Sequence, residues 1–169
     1  MSATGRVRLC RSDERPAILK IVNTAAAVYR GAIPDDCWHE PYMSAGELER
    51  EIEAGVAFLG YERDGELIGV MGFQPVHNVR LVRHAYVLPD LQRSGVGSAL
   101  IARIESSSPG RMLVGTWAAA GWAIRFYRRH GFVAVSPAQK VTLLKTYWTV
   151  PVRQIEMSVV LAKPPVDEL

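Results

Sequence analysis

The chain has 169 residues, enough for one domain with a proper core, and is 49% hydrophobic and 22% charged, an ordinary globular balance. A net charge of +3 is too weak to argue for nucleic acid, yet suits an anionic ligand; arginine supplies 16 of the 20 basic side chains and is the better fork for phosphate oxygens. Cys10 and Cys37 have no metal-ligand spacing, no apolar run approaches the ~20 residues of a membrane span, and Met1 to Arg6 lack the apolar core of a secretion leader. A cytoplasmic protein without metal, membrane or nucleic-acid partner is expected.

Arg6 to Cys10 alternates and predicts a first strand. Ser12 or Asp13 can cap a helix with Ile18, Ile21, Val22, Ala25 and Tyr29 on one face, ended by Gly31 and Pro34. A loop of large side chains, Cys37-Trp38-His39-Glu40-Pro41-Tyr42-Met43, follows, and Ser44 to Glu47 is a capping box for a short helix stopping near Gly55. Strands are predicted over Val56 to Glu62 and Glu66 to Val76, joined by the turn Asp64-Gly65. A second turn, His77-Asn78, leads to a strand from Val79 to Leu88.

A glycine loop then enters a helix from about Val96 to Ser106, with Val96, Leu100, Ile101 and Ile104 inward. Met112 to Trp117 is a strand, Gly121 to His130 a helix closed by Gly131, and Phe132 to Val135 a strand. Lys140 to Tyr147 is a helical turn or a loop, Arg153 to Leu161 alternates as a last strand, and residues 163–169 form a loose tail. The order β-α-α-β-β-β-α-β-α-β-β predicts one α/β domain over residues 1–169, a mixed sheet with helices on both faces.

The chemistry concentrates in Gln92-Arg93-Ser94-Gly95-Val96-Gly97-Ser98, between a strand and a helix. A helix start leaves amides without partners at the positive end of its dipole, and glycines let a phosphate come close. A plain turn is the competing reading. Ser98-Ala99-Leu100 lacks the third glycine of a dinucleotide fold, and no Gly-Lys-Ser/Thr marks a P-loop.

Tyr86 through Leu100 resembles the acetyl-coenzyme A signature of the GNAT N-acetyltransferase superfamily. Ala123-Ile124-Arg125-Phe126-Tyr127-Arg128-Arg129-His130-Gly131-Phe132 resembles that family's later motif. The resemblance implies an α+β fold with a mostly antiparallel sheet and one splayed parallel pair. It further implies that the backbone amides of Gln92, Arg93, Ser94, Gly95, Val96, Gly97 and Ser98 hold the pyrophosphate of acetyl-CoA, and that backbone at Val87 and Leu88 pairs with the pantetheine arm. Tyr127 would sit near the thioester sulfur. One departure is Ala120, where the family often carries asparagine.

Acetyl transfer must remove a proton from the amine and return one to the departing thiolate. An amine of pKa ~10.4 is roughly 0.1% neutral near pH 7.4, a handicap of about 4 kcal/mol. Tyr127 is the candidate general acid; packing as core is its alternative. The family's usual base positions fall on Leu81 and Arg83, neither a base. His84 is the nearest titratable group, although alternation turns it to the other sheet face unless a bulge intervenes. His39, Glu40 and His77 are loop alternatives. Arg83, if inward, suggests an anionic acceptor, and Trp38 and Tyr42 are acceptor-site or core residues.

Arg125 and Arg129 meet the cofactor's 3′-phosphate or face solvent. Tyr147 and Trp148 have three readings: ligand contact, core, or the interface of a homodimer. The function expected is acetylation of a small-molecule primary amine. The alternatives are a protein or peptide N-acetyltransferase and a non-catalytic acyl-CoA-binding module.

Overall fold

The computed structural model describes residues 4–167; Met1 to Ala3, at the start of the stretch read for a leader, and Glu168 and Leu169 of the tail lie outside them. Strand β1 (Arg6–Leu9) turns through Ser12–Glu14 into helix α1 (Arg15–Ala26). Neither Ser12 nor Asp13 caps the helix. Glu14 satisfies this turn instead, accepting from the Arg11 backbone N–H at 2.6 Å and from the Arg8 guanidinium at 2.6 and 2.9 Å, while Pro16 stands in the first turn, where no N–H is needed. Ile18, Ile21, Val22, Ala25 and Tyr29 are buried, as their spacing predicts.

Helix α2 (Ala45–Glu53) starts at Ser44, whose Oγ accepts from the Glu47 N–H at 3.1 Å. Strands β2 (Ala57–Arg63), β3 (Glu66–Val76) and β4 (Val79–Val87) then form an antiparallel meander. Asp64 and Gly65, at φ 53° and 83°, supply the left-handed pair that a two-residue hairpin needs. Helix α3 (Val96–Ser107), strand β5 (Arg111–Trp117), helix α4 (Gly121–Arg129) and a short strand β6 (Val133–Ala134) follow.

The C-terminal quarter departs from the alternation pattern. Lys140 to Tyr147 belongs to a full helix, α5 (Pro137–Tyr147), closed at its start by reciprocal bonds between Ser136 and Gln139. Val152–Glu156 is not strand but helix α6, because Pro151 presets the entry and its carbonyl accepts from the N–H groups of Gln154 and Ile155. Strand β7 (Ser158–Lys163) begins only after it. Lys163, expected in a loose tail, ends that strand, and Arg111 donates to the carbonyls of Pro164 and Pro165 at 3.2 and 3.1 Å.

The sheet runs β1-β2-β3-β4-β5-β7-β6 with one parallel pair, β4 beside β5. Leu100, Ile101 and Ile104 of α3 pack on Leu59, Met71 and Val82 on one face; Ile18 and Val22 of α1 and Leu48 of α2 cover Phe58 and Val70 on the other. Each such side chain contributes about 1.5–3 kcal/mol on leaving water, so both helix layers are fixed by their apolar stripes. Arg80, 7% exposed, holds the far end of α3 by donating to the Ile104 carbonyl, with Ser107 Oγ and the Gly110 carbonyl each at 3.4 Å. A cation at a helix C-terminus also meets the negative end of the dipole.

Candidate active site

Pairing of β4 with β5 runs from Val79 opposite Arg111 to Val82 opposite Val114 and stops there. Beyond that point β4 stays with β3 as far as Val87, while β5 stays with β7 as far as Trp117. The two carboxyl ends part; a cavity of about 310 Å³ is bordered by residues of β3, β4, α3 and α4, and Gly115, Thr116 and Trp117 of β5 border a second one. Strand edges that face such a gap carry backbone groups able to pair with an extended ligand arm. Val87 borders the cavity; Leu88 instead packs into the apolar clusters on both faces of the sheet.

The glycine turn borders this cleft. Gly95, at φ 85°, is the N-cap of α3, and a side chain added there would meet nothing within 4 Å. At Gly97 an added Cβ would lie 3.1 Å from the Phe126 ring, which also borders the cleft. Gln92, Arg93, Gly95, Gly97 and Ser98 line it. The side chains of Ser94 and Val96 do not: Val96 is 1% exposed, as its place on the inward stripe of α3 requires, and Ser94 Oγ donates to the Leu91 carbonyl at 2.5 Å, so only their backbone amides are left for the expected contact. Arg125 and Arg129 are exposed on α4 and at the same time border the cleft, as Arg93 does.

Tyr127 lines the same cleft and is 5% exposed, edge-on to Phe126 and Phe132 at centroid distances of 5.2 and 5.6 Å. Burial, with Tyr29 nearby, raises its phenol above the ordinary value, so Tyr127 stays protonated across the working pH range. Ala120 is fully buried and is the N-cap of α4, without a side-chain cap.

A second cavity of about 130 Å³ adjoins the first, and Tyr29 and Tyr86 border both. With Tyr42 they form a triangle of rings 5.6–6.5 Å apart, and Trp117 Nε1 donates to the Tyr42 hydroxyl at 2.9 Å. Burial chiefly, with Tyr42 alongside, pushes Tyr29 up to about 12 despite hydrogen bonding to Tyr86 and Thr116; burial likewise raises Tyr42 and Tyr86. The junction of the two cavities is therefore walled by neutral phenols.

His84 answers the question that alternation left open. Val70 faces Tyr86 and Gly72 faces Arg83, so two residues of β4, His84 and Ala85, stand opposite Met71 alone. This is a β-bulge, and His84 takes the left-handed conformation, φ 51°, to make it. The extra residue resets the pleat: Ala85 and Val87 join the α3 side, while Arg83, His84 and Tyr86 all border the second cavity. Leu81 is fully buried in the core.

Glu51 of α2, which no motif marked, reaches both of these residues. Its carboxylate accepts from Arg83 Nη2 at 3.0 Å and from His84 Nε2 at 2.9 Å. Burial alone would raise this carboxyl, but the His84 hydrogen bond and the charges of His84 and Arg83 outweigh it and hold Glu51 below the ordinary carboxylate range. Arg83 also donates to Gln74 at 3.1 Å, so its charge is shared before any acceptor arrives.

Tyr42 borders the second cavity, but Trp38 does not; it stacks on Tyr42 at 5.8 Å beneath the Arg30 guanidinium and helps close the core. The loop alternatives are also displaced. His39 lies on Tyr42 with Nδ1 3.0 Å from the Pro41 carbonyl, Glu40 pairs with Arg30, and His77 makes the β3–β4 turn beside Tyr147. Trp148 lines the second cavity, and Tyr147 reaches Asn78 at 3.3 Å. Among the described residues no helix is long and apolar enough to cross a membrane.

Known proteins resemble this chain in sequence and in fold. The family model for an acetyltransferase (GNAT) domain matches residues 54–134. Phosphinothricin N-acetyltransferase of Alcaligenes faecalis is 32% identical over 121 residues, 64% of this chain and 58% of that protein, so the match spans less than two thirds of the relative's length. The PaiA N-acetyltransferase of Thermoplasma acidophilum, in complex with coenzyme A, superposes at TM-score 0.72 with 16% identity over 94% of this chain and 98% of that one. The ribosomal-protein-S18-alanine N-acetyltransferase of Escherichia coli does so at 0.67, again at 16% identity, over 94% and 92%. The matched segment runs from the end of α2 to β6 and so contains the parted strands, the glycine turn and Tyr127 together; over that segment the chain is similar to the acetyltransferase (GNAT) domain, and its fold is that of the N-acetyltransferases it superposes on.

Proposed function

We propose that this protein transfers the acetyl group of acetyl-CoA to the primary amine of a small molecule. The observation that carries the reading is the junction of the two cavities at Tyr29 and Tyr86, one cavity ending at a helix N-terminus among three arginines and the other bordered by His84. Residues of the first fit the donor. The Gly95 and Gly97 backbone leaves room for phosphate oxygens, Arg93, Arg125 and Arg129 offset their charge, and the free edge of β4 near Val87 suits the amide groups of a pantetheine arm. A cavity of about 130 Å³ favours a compact acceptor over a peptide.

In this reading His84 takes a proton from the acceptor ammonium, and the freed nitrogen lone pair forms the C–N bond as the C–S bond opens. Tyr127 gives its hydroxyl proton to the departing sulfur. The remaining surplus proton on nitrogen returns to the Tyr127 phenolate through solvent, and His84 releases its own to bulk water, so one proton leaves per turnover. Because burial raises Tyr127, it donates only in step with the developing thiolate, whose proton affinity the same burial increases. The tyrosine faces of the junction attract an ammonium group. Arg83 is the candidate for an anionic group on the acceptor.

Free-thiol release from acetyl-CoA across a panel of amines tests the reading, with phosphinothricin, an amino acid and its decarboxylated amine, and a short peptide included. Turnover of a small amine supports it. Acetylation of the peptide alone, or tight acetyl-CoA binding with no turnover of any amine, would sink it. Equal turnover of the amino acid and the decarboxylated amine would remove the role of Arg83.

A further inference from the structure

Glu51 belongs to none of the family motifs, yet it is the group that ties α2 to the catalytic face of β4. Its helix covers the sheet with Leu48, 1% exposed, and the half-buried Ile52; Glu51 stands between these positions with its side chain 21% exposed. A carboxylate placed so close to an apolar layer needs strong partners, and it has two. One oxygen accepts from Arg83 at 3.0 Å and the other from His84 at 2.9 Å. The arrangement is braced further, since Gln74 accepts from Arg83 at 3.1 Å and donates to the Ala54 carbonyl at 2.8 Å, just beyond the C-terminal end of α2.

The chemical consequence follows from which atoms are engaged. A carboxylate can only accept, so the His84 nitrogen bonded to it, Nε2, carries the hydrogen. In the neutral ring the other nitrogen, Nδ1, then keeps its lone pair, and in the imidazolium it carries the proton taken up. An imidazole whose one N–H is held by a carboxylate has its tautomer and ring plane set, which is what a proton acceptor needs. Phe58 lies nearly parallel to the ring at 6.1 Å and supports it from the core side. The bulge explains why such a clamp is needed: His84 sits in the left-handed region that non-glycine residues avoid, and the Glu51 bond and the Phe58 contact hold it there. Arg83 has a different part, as a second partner on the other carboxylate oxygen.

We propose that Glu51 is a positioning residue for acetyl transfer, holding His84 on the acceptor-cavity face of the bulge as the tautomer whose Nδ1 accepts the proton of the amine. This rests on the reading of His84 as the base. Glu51 touches neither acetyl-CoA nor the acceptor in this scheme and acts only through the imidazole.

The test is a cycle of Glu51→Gln, His84→Ala and the double variant, measured by single-turnover acetylation of the best amine, together with acetyl-CoA affinity and thermal unfolding. Glu51→Gln keeps the size and one hydrogen-bonding oxygen but removes the charge. We expect it to lower kcat by about 10- to 100-fold with acetyl-CoA affinity unchanged, and to add less than about 2-fold in the His84→Ala background, as expected of residues that act as one unit. A full multiplicative loss in that background, or a wild-type kcat for Glu51→Gln while His84→Ala is slow, overturns the Glu51 role and leaves His84 as base. A wild-type kcat for His84→Ala removes the base and the positioning role with it. ¹⁵N chemical shifts of the His84 ring in the unaltered protein give a readout independent of whether any variant folds: protonation at Nε2 supports the proposal, and protonation at Nδ1 overturns it.

Discussion

The two glycines of the turn onto α3 are required for opposite reasons, and alanine at each separates them. At Gly95 an added Cβ has nothing within 4 Å, so no atom must move, but the backbone sits at φ 85°. An L-residue there costs roughly 1–2 kcal/mol. At about 2–4 °C per kcal/mol for a chain of this size, Gly95→Ala should lower Tm by about 2–8 °C. Gly97 is the second residue of α3, where alanine favours the helix by up to about 1 kcal/mol. Its Cβ, however, would stand 3.1 and 3.3 Å from two Phe126 ring atoms, inside the ordinary 3.5–4.0 Å contact between carbons.

Phe126 is backed by His130 at 4.7 Å and Tyr127 at 5.2 Å, so its room to retreat is toward the cleft it lines. Propensity gain and crowding roughly cancel in stability, and Gly97→Ala should melt within about 2 °C of the parent. The crowding falls on the binding space, where about 1.4 kcal/mol of lost fit is a tenfold weaker acetyl-CoA Kd. Thermal unfolding monitored by circular dichroism and calorimetric titration with acetyl-CoA read the two effects separately. A Gly97→Ala protein that melts below Gly95→Ala, or that binds acetyl-CoA as tightly as the parent, would refute this account of the turn.

Tyr127→Phe removes only the proposed acid, so kcat should fall by about 10²-fold or more while acetyl-CoA affinity holds; an unchanged single-turnover rate would remove the role. Arg125→Gln and Arg129→Gln should each weaken acetyl-CoA binding and flatten its dependence on ionic strength, and affinity unaltered at low salt would return both residues to the solvated face. The Arg8 hydrogen bond, chiefly, holds Glu14 down to about 2, although burial opposes it. A carboxyl lowered by folding contributes stability that is complete above the unfolded value near 4.5 and is lost as pH falls toward 2. Glu14→Gln should therefore flatten the acid limb of a denaturation profile between about pH 4.5 and 2, and an identical acid limb would count against the pair.

Local rules reached far in this chain. The stripe Ile18-Ile21-Val22-Ala25, the Ser44 cap and the Asp64-Gly65 turn depend on interactions within a few residues, and each stands where its spacing places it. They faltered where two local signals competed. The period-2 run through Ile155, Met157 and Val159 reads as strand, but Pro151 one step upstream commits the backbone to α6 first, and Ile155 is buried by packing with Leu144 and Val160 instead of by sheet pairing.

The donor end of the site was legible for a similar reason. A glycine turn at a helix start binds anions through its own backbone, so Gln92 to Ser98 announce the cleft, and Tyr127 is attached to it by one short helix. Only the tertiary structure decided which side chains of the turn point away from the cleft and how the second cavity is built. The Val96 side chain turns inward with the roll of α3, fixed by Leu100 and Ile104 against the sheet, and that of Ser94 is tied back to the Leu91 carbonyl. The orientation of His84 depends on a single extra residue in β4, which reverses every side chain beyond it, and on a carboxylate 33 positions earlier that holds it there. Composition and periodicity carry information over one helical turn or one strand pair; a bulge and its distant partner are set by how complete layers pack, and that is where the second half of this site resides.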